Sequence, residues 1–152
     1  MTVELIRAGI DDAQELWQMQ KEAFAQLLER YRDYETNPAS EPLERTVQRL
    51  CDGSSFYFIV ESGEKVGAVR VVEDGERKRI SPVFIMPQHR RKGLAQQAIR
   101  LAEQLHGEHN WELSTIMQEA GNCRLYEKLG YRRTGQVQRI NEQMDLVFYE
   151  KD

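Results

Sequence analysis

Hydrophobic and polar residues alternate mainly with helical periodicity over the first third of the chain. A short apolar stretch from Val3 to Ile6 predicts an opening strand. Apolar residues then recur at helical spacing from Asp12 to about Arg30, which predicts one amphipathic helix. Pro42 suits the first turn of a second, shorter helix that ends near Cys51.

The sequence pattern then changes from that of helices to that of strands. "SFYFIV" and "VGAVRVV" are rich in β-branched and aromatic residues, and they flank "ESGEK", whose glycine indicates a hairpin turn. Asp74-Gly75 marks the next turn, and "RISPVFIM" follows as a fourth strand. Because Pro82 has no N–H for the ladder, we expect a bulge or a break in pairing near Ser81-Pro82.

In the last third of the chain, segments with helical periodicity alternate with segments typical of strands. A third helix, ending at Gly107, is predicted by one apolar stripe: Leu94, Ala98, Leu101, Ala102 and Leu105. "WELSTI" predicts a fifth strand, "NCRLYEKLG" a short helix stopped at Gly130, and "YRRTGQVQ" and "MDLVFYE" two final strands. The order β-α-α-β-β-β-α-β-α-β-β predicts one mixed α/β domain over residues 1–152, in which the third helix allows strands four and five to run parallel.

Composition excludes several classes of partner. The 152 residues carry a net charge of -4, which argues against non-specific binding to nucleic acid. No apolar run approaches the ~18 residues of a membrane span, and no signal core follows Met1, so we expect a cytoplasmic protein without membrane contact. Cys51 and Cys123 are expected to be free thiols, and neither the cysteines nor the three histidines have metal-ligand spacing.

Three consecutive basic residues, Arg90, Arg91 and Lys92, precede Gly93 and a predicted helix. A strand, a glycine-containing basic loop and a helix together present unpaired backbone N–H groups to an anion, and Ala95 keeps the next turn small. Neither the GxxxxGK nor the GxGxxG phosphate motif is present. The short motif alone leaves two interpretations open, an anion site and an ordinary solvated helix entry.

Two motifs resemble those of the GNAT acetyltransferase superfamily. "VFIMPQHRRKGLAQQAI" is similar to its pyrophosphate-binding segment, [QR]xxGx[GA] after a strand and a loop proline, with Arg90, Gly93 and Ala95 at the defined positions. "LYEKLGY", from Leu125 to Tyr131, resembles its second signature. The resemblance covers nearly the whole chain. It implies a mixed sheet of about six to seven strands with helices on both faces, and parallel strands four and five that splay apart.

The resemblance also implies where acetyl-CoA would bind. The co-substrate would lie between strands four and five, with the strand-four backbone pairing with its pantetheine arm and one N–H polarising the thioester carbonyl. The nest from Arg91 to Gln96 would hold the pyrophosphate. The implied cofactor-binding residues are Val83, Phe84, Ile85, Arg90, Arg91, Lys92, Gly93, Leu94, Ala95, Gln96 and Asn122. No metal is expected.

Tyr126 matches the family's tyrosine, which protonates the departing CoA thiolate. Its position beside Leu125 and Leu129 equally suits the buried face of an amphipathic helix, and both interpretations stay open.

The chain departs from the family pattern at the positions of other polar groups. Glu119 stands where many relatives carry an Asn, and Ser114 stands where some carry a glutamate base. Asn122 would bond to the pantetheine or cap the helix. The sequence names no base: Glu112, Glu119 and a chain of water molecules are all candidates.

The first two helices and their loop would wall the acceptor site in this family. The segment from Asp11 to Asp52 holds ten acidic and five basic residues, a surplus of five negative charges. This surplus favours a cationic amine, although an ordinary charged helix surface gives the same balance. "YRDYETNP" adds aromatic rings beside carboxylates, a combination that suits cation–π contact with an ammonium group.

The sequence therefore predicts direct transfer of an acetyl group from acetyl-CoA to an amine on a small molecule or a peptide. The alternative is a non-catalytic sensor of acyl-CoA: the retained Tyr126 favours the enzyme, and the missing base favours the sensor. The edge strands "QVQRI" and "DLVFYE" suit pairing across a homodimer or within the chain.

Overall fold

The computed structural model describes residues 2–152, and its elements follow the predicted order. The strands are β1 Val3–Arg7, β2 Ser55–Glu61, β3 Glu64–Val72, β4 Lys78–Ile85, β5 Trp111–Ile116, β6 Arg132–Asn141 and β7 Met144–Lys151. The helices are α1 Ala13–Tyr31, α2 Leu43–Cys51, α3 Leu94–His106 and α4 Ala120–Lys128.

The seven strands form one sheet in the order β1-β2-β3-β4-β5-β7-β6. β4 and β5 run parallel, but they pair only at Lys78 with Trp111 and at Arg79 with Glu112. β5 pairs antiparallel with β7 over its whole length. Beyond Arg79 the facing edges of β4 and β5 therefore separate, which confirms the predicted splay and leaves backbone polar groups free to bind a ligand in the gap.

Helices pack on both faces of the sheet. α3 covers one face, where Ala98, Ile99 and Ala102 are fully buried. α1 covers the other, and the Phe24 ring meets the Phe84 ring of β4 edge to face, with 5.7 Å between centroids.

The predicted apolar stripe of α3 is wrong at one end. Leu105 is 61% exposed, whereas Ile99 is buried. The buried arc of α3 is rotated toward Glu103, whose carboxylate accepts hydrogen bonds from the Tyr131 hydroxyl at 2.8 Å and the Lys151 ammonium at 3.0 Å. Leu105 therefore falls at the exposed edge of the arc.

The predicted irregularity in strand four is confirmed. Val69 of β3 pairs with Val83, and Val71 pairs with Ile80, so two β4 residues lie opposite one residue of β3. The Arg70 guanidinium donates to the Ser81 carbonyl oxygen at 2.9 Å, which satisfies a group that the bulge removes from the ladder.

Gly67 of β3 fixes the position of β4 and was not singled out by the sequence. A Cβ atom on Gly67 would lie 2.1 Å from the Phe84 carbonyl oxygen and 3.1 Å from the Ile85 Cα. We expect Gly67→Ala to push β4 toward the gap, to lower the free energy of unfolding by about 1–3 kcal/mol, and to weaken CoA binding. Urea unfolding and calorimetry measure the two effects.

Gly75→Ala is the matched control for this variant. A Cβ there has no atom within 4 Å, and Gly75 lies in an exposed turn. A Gly67→Ala protein as stable as the Gly75→Ala protein would show that β4 does not depend on this close approach.

Candidate active site

A cavity of about 450 Å³ opens beside the gap between β4 and β5. Its walls come from α1, the end of β4, the loop that follows, and the first turns of α3 and α4. It is lined by Tyr126 and by ten of the eleven predicted cofactor-binding residues: Val83, Phe84, Ile85, Arg90, Arg91, Gly93, Leu94, Ala95, Gln96 and Asn122.

A second cavity of about 330 Å³ adjoins the first. It lies between residues 79–83 of β4 and 113–116 of β5, and Asp33 and residues 36–38 of the loop after α1 cover it. Five residues line both cavities: Phe24, Leu27, Val83, Asn122 and Tyr126. The two spaces therefore meet at α4, beside Tyr126.

The loop before α3 has the backbone conformation of an anion nest. Arg91 has φ +66° and Gly93 has φ +75°, both in the left-handed region. Such turns direct successive N–H groups into one concavity, and the first N–H groups of α3 have no partner within the helix. A Cβ at Gly93 has no atom within 4 Å, so the space above the loop is open. These residues fit the pyrophosphate of CoA.

Tyr126 combines a buried ring with a place at the junction of the cavities. Its side chain is 7% exposed, and its ring packs against Tyr131 and Tyr149 at centroid distances of 6.2 and 6.1 Å. Burial, with a smaller contribution from Cys123, raises the pKa of Tyr126 to about 12. At neutral pH the phenol is protonated, as it would be at the ordinary tyrosine pKa, so it carries the proton that a donor must supply.

Family comparison agrees with this geometry. The profile of the Acetyltransferase (GNAT) family matches residues 13–131, which include the nest, Tyr126 and the splayed strands. The chain belongs to the GNAT family. Membership confirms the predicted resemblance and makes the protein an acyltransferase that uses acetyl-CoA. No curated protein sequence matches significantly.

Solved structures of low sequence identity share the fold. PaiA N-acetyltransferase from Thermoplasma acidophilum, in complex with coenzyme A, is 13% identical over 100% of both chains, with a TM-score of 0.72. YncA from Salmonella typhimurium, with acetyl-CoA, is 20% identical over 98% of this chain and 92% of its own, with a TM-score of 0.69. A spermidine N-acetyltransferase SpeG chimera from Vibrio cholerae and hSSAT is 17% identical over 99% and 96%, with a TM-score of 0.75.

The three basic residues of this GNAT protein occupy different environments. Arg91 lines the first cavity with an exposed side chain. Arg90 lines it too, but its guanidinium donates to two backbone carbonyl groups. Lys92 is exposed and lies outside the cavity lining, so the structure does not bring it to the site with the others. Its role in phosphate binding stays a prediction.

Asn122 lies one helical turn before Tyr126 and faces the same cavities. α4 begins at Ala120 with Glu119 as its N-cap and without a side-chain capping hydrogen bond. Asn122 therefore does not cap the helix, which leaves its carboxamide available to ligands at the junction.

The two glutamates that the sequence leaves open as the general base differ in their distance from the cavities. Glu119 lines the first cavity, but its carboxylate accepts hydrogen bonds from the Tyr31 hydroxyl at 2.6 Å and the Arg30 guanidinium at 2.7 Å. Glu112 lines neither cavity, while Ser114 lines the second. Neither glutamate is both unengaged and at the junction, so the structure assigns the role of base to neither, and the route of the acceptor's proton stays a prediction.

Several lining residues were placed in elements by the sequence but not assigned to the site. Phe24 and Leu27 were predicted within the first helix, and their apolar spacing was the signal available. His89 also lines the first cavity, and its Nε2 lies 3.0 Å from the Glu64 carboxylate.

Two findings concern other kinds of site. Across residues 2–152, no group of three or more His, Cys, Asp and Glu side chains is arranged to hold a metal ion. No helix in the same range is both long and apolar enough to cross a bilayer.

Proposed function

We propose that the protein acetylates a small amine by direct transfer, with acetyl-CoA in the first cavity and the acceptor in the second. The observation that carries this proposal is the junction at which Tyr126 and Asn122 line both cavities. The amine nitrogen attacks the thioester carbonyl carbon, the carbon–sulfur bond breaks, and the sulfur takes the proton of the Tyr126 hydroxyl. The attacking nitrogen, which must be neutral to attack, releases its own proton to water, and water returns a proton to the Tyr126 phenolate.

The strand-four backbone and the nest would hold the co-substrate. Val83, Phe84 and Ile85 lie along the unpaired edge of β4, where an extended pantetheine arm could bond as an added strand. The pyrophosphate would meet the N–H groups between Arg91 and Gln96.

The size of the second cavity supports a small acceptor. About 330 Å³ is at the lower end of the range for small-molecule sites. One similar structure is described as a spermidine N-acetyltransferase chimera, which is consistent with a cationic amine.

A single carboxylate in the wall of the second cavity, rather than the total number of acidic residues, supports a cationic acceptor. Several acids of the segment from Asp11 to Asp52 are held in ion pairs: Glu15 with Lys65, Glu41 with Arg49, and Asp52 with Arg70. The carboxylate of Asp33 lines the cavity and is 4% exposed. One oxygen accepts hydrogen bonds from the backbone N–H of Thr36 at 3.0 Å and of Glu35 at 3.3 Å, and the other accepts one from the Thr36 hydroxyl, so no cationic side chain neutralises this carboxylate within residues 2–152. Arg79 also lines the cavity, and its Nη1 lies 3.6 Å from Oδ1 of Asp74, which offsets its positive charge.

Neutralising Asp33 and Glu35 together tests this part of the proposal. We expect Asp33→Asn with Glu35→Gln to raise the acceptor KM by about tenfold, because a buried carboxylate attracts an ammonium group strongly. The acetyl-CoA KM should not change, and the effect should shrink in high salt. Steady-state kinetics with the best amine found in a screen measures both constants.

Glu22→Gln with Glu29→Gln is the matched control, because it removes two negative charges from exposed positions on α1 outside both cavities. An active enzyme whose best acceptor is neutral or acidic would refute the cationic acceptor and leave acetyl transfer intact.

A further inference from the structure

Arg90 occupies the first position of the pyrophosphate motif, yet two of the three nitrogens of its guanidinium donate hydrogen bonds to the protein backbone. Nε donates to the Ile85 carbonyl oxygen at 3.0 Å, and Nη2 donates to the Ala23 carbonyl oxygen at 2.6 Å. Ile85 is the last residue of β4, and Ala23 lies in the middle of α1. One side chain therefore joins the nest loop to two elements that are distant in sequence.

The environment of Arg90 suits a brace rather than an anion ligand. Ala23 is 2% exposed, so the Arg90 fork reaches a buried part of the helix backbone. Partial desolvation lowers the pKa of Arg90, and two carbonyl oxygens accept hydrogen bonds from its charge. Arg90 and Arg91 are both exposed and line the same cavity, but within residues 2–152 no side-chain hydrogen bond or ion pair holds Arg91, so Arg91 is the better placed of the two to reach a phosphate.

We infer that Arg90 is a positioning residue, which fixes the nest loop against α1 and the end of β4 and does not bind phosphate. This inference rests on acetyl-CoA binding in the first cavity and not on the identity of the acceptor. Residues 24 and 27 of α1 line both cavities, so the brace sets the wall that the co-substrate and the acceptor share. A planar fork is required, because a lysine ammonium cannot bridge two carbonyl groups in the same geometry.

Charge-conserving and charge-removing variants separate the brace from a phosphate contact. We expect Arg90→Lys and Arg90→Gln to weaken CoA binding equally, by about tenfold. Arg90→Lys should keep the wild-type dependence of Kd on salt concentration. Arg91→Gln is the matched control, and it should weaken CoA binding while making that dependence shallower, because it removes a charge near the phosphates.

Amide hydrogen exchange of the ligand-free protein supplies a readout that needs neither CoA nor activity. In both Arg90 variants, exchange should become about tenfold faster within residues 20–27 and 83–93, while β1 and β2 keep wild-type rates. Arg91→Gln should leave exchange unchanged. A change confined to these segments distinguishes positioning from a general loss of stability.

Three outcomes would overturn the inference. The first is an Arg90→Lys protein that binds CoA as the wild type does while Arg90→Gln shows a shallower salt dependence, since that pattern belongs to a phosphate contact. The second is wild-type exchange in residues 20–27 and 83–93 of both variants. The third is faster exchange throughout the protein. None of these outcomes depends on whether the amine transfer proposed above occurs.

Discussion

Gly93→Glu should abolish CoA binding while leaving the fold intact. The loop at Gly93 is open toward the cavity and precedes α3, so a glutamate side chain would place its charge where the pyrophosphate is expected. Calorimetry with CoA measures the loss, and a thermal melt of the same sample shows that the variant is folded.

Gly93→Gln is the control for bulk and backbone strain. Gly93 has φ +75°, so any side chain there costs about 1–2 kcal/mol of backbone strain. Glutamine carries the same strain and nearly the same shape as glutamate without its charge. We expect the Gln variant to retain measurable affinity, and equal affinity of the two variants would contradict an electrostatic nest. Wild-type affinity in the Glu variant would refute the site itself.

Tyr126→Phe should lower kcat by about 10²-fold, the scale of one acid–base group. The ring is buried among Tyr131 and Tyr149, and phenylalanine retains that packing, so stability and acetyl-CoA KM should change little. Tyr149→Phe is the matched control, because it removes a hydroxyl that donates to Glu127 and lies outside both cavities. Equal turnover in the Tyr126→Phe and wild-type proteins would make Tyr126 a core residue without chemistry.

The pH dependence of turnover gives Tyr126 a second signature. Burial raises its pKa to about 12, and a phenolate cannot donate a proton, so the loss of activity due to this group falls near pH 12 instead of near 10. The same shift links to stability: its contribution is complete below pH 10 and is lost as pH rises through 12. A rate–pH profile of the Phe variant should lack the alkaline step that this group causes.

Local patterns predicted the elements and most of the site. Strand and helix periodicity gave the element order, and Pro82 indicated the bulge opposite Arg70. Of the eleven residues that the family resemblance assigned to the co-substrate, all but Lys92 line the first cavity. These features depend on neighbours in sequence, which is why one sequence reveals them. The domain limits, the cytoplasmic location and the homodimer stay predictions.

Features that depend on distant parts of the chain could not be predicted in this way. Arg90 meets Ala23 across 67 positions, so its motif position suggested a phosphate ligand while its contacts indicate a brace. Gly67 approaches the backbone of Phe84, and only its place inside a strand hinted at that contact. The ion pairs of Glu15 with Lys65 and of Asp52 with Arg70 have basic partners outside the counted segment, so they neutralise two of the five surplus negative charges that the residue count gave to the acceptor region.

Release of free CoA thiol from acetyl-CoA, measured with a panel of primary amines, tests the central claim most directly. The panel should include diamines, amino acids and neutral amines, with the Tyr126→Phe protein as the paired control. We predict thiol release that requires an amine, is fastest with a cationic amine, yields the N-acetylated product by mass spectrometry and falls about 10²-fold in the Phe variant. Tight acetyl-CoA binding without amine-dependent thiol release across the panel would contradict the account and favour an acyl-CoA sensor.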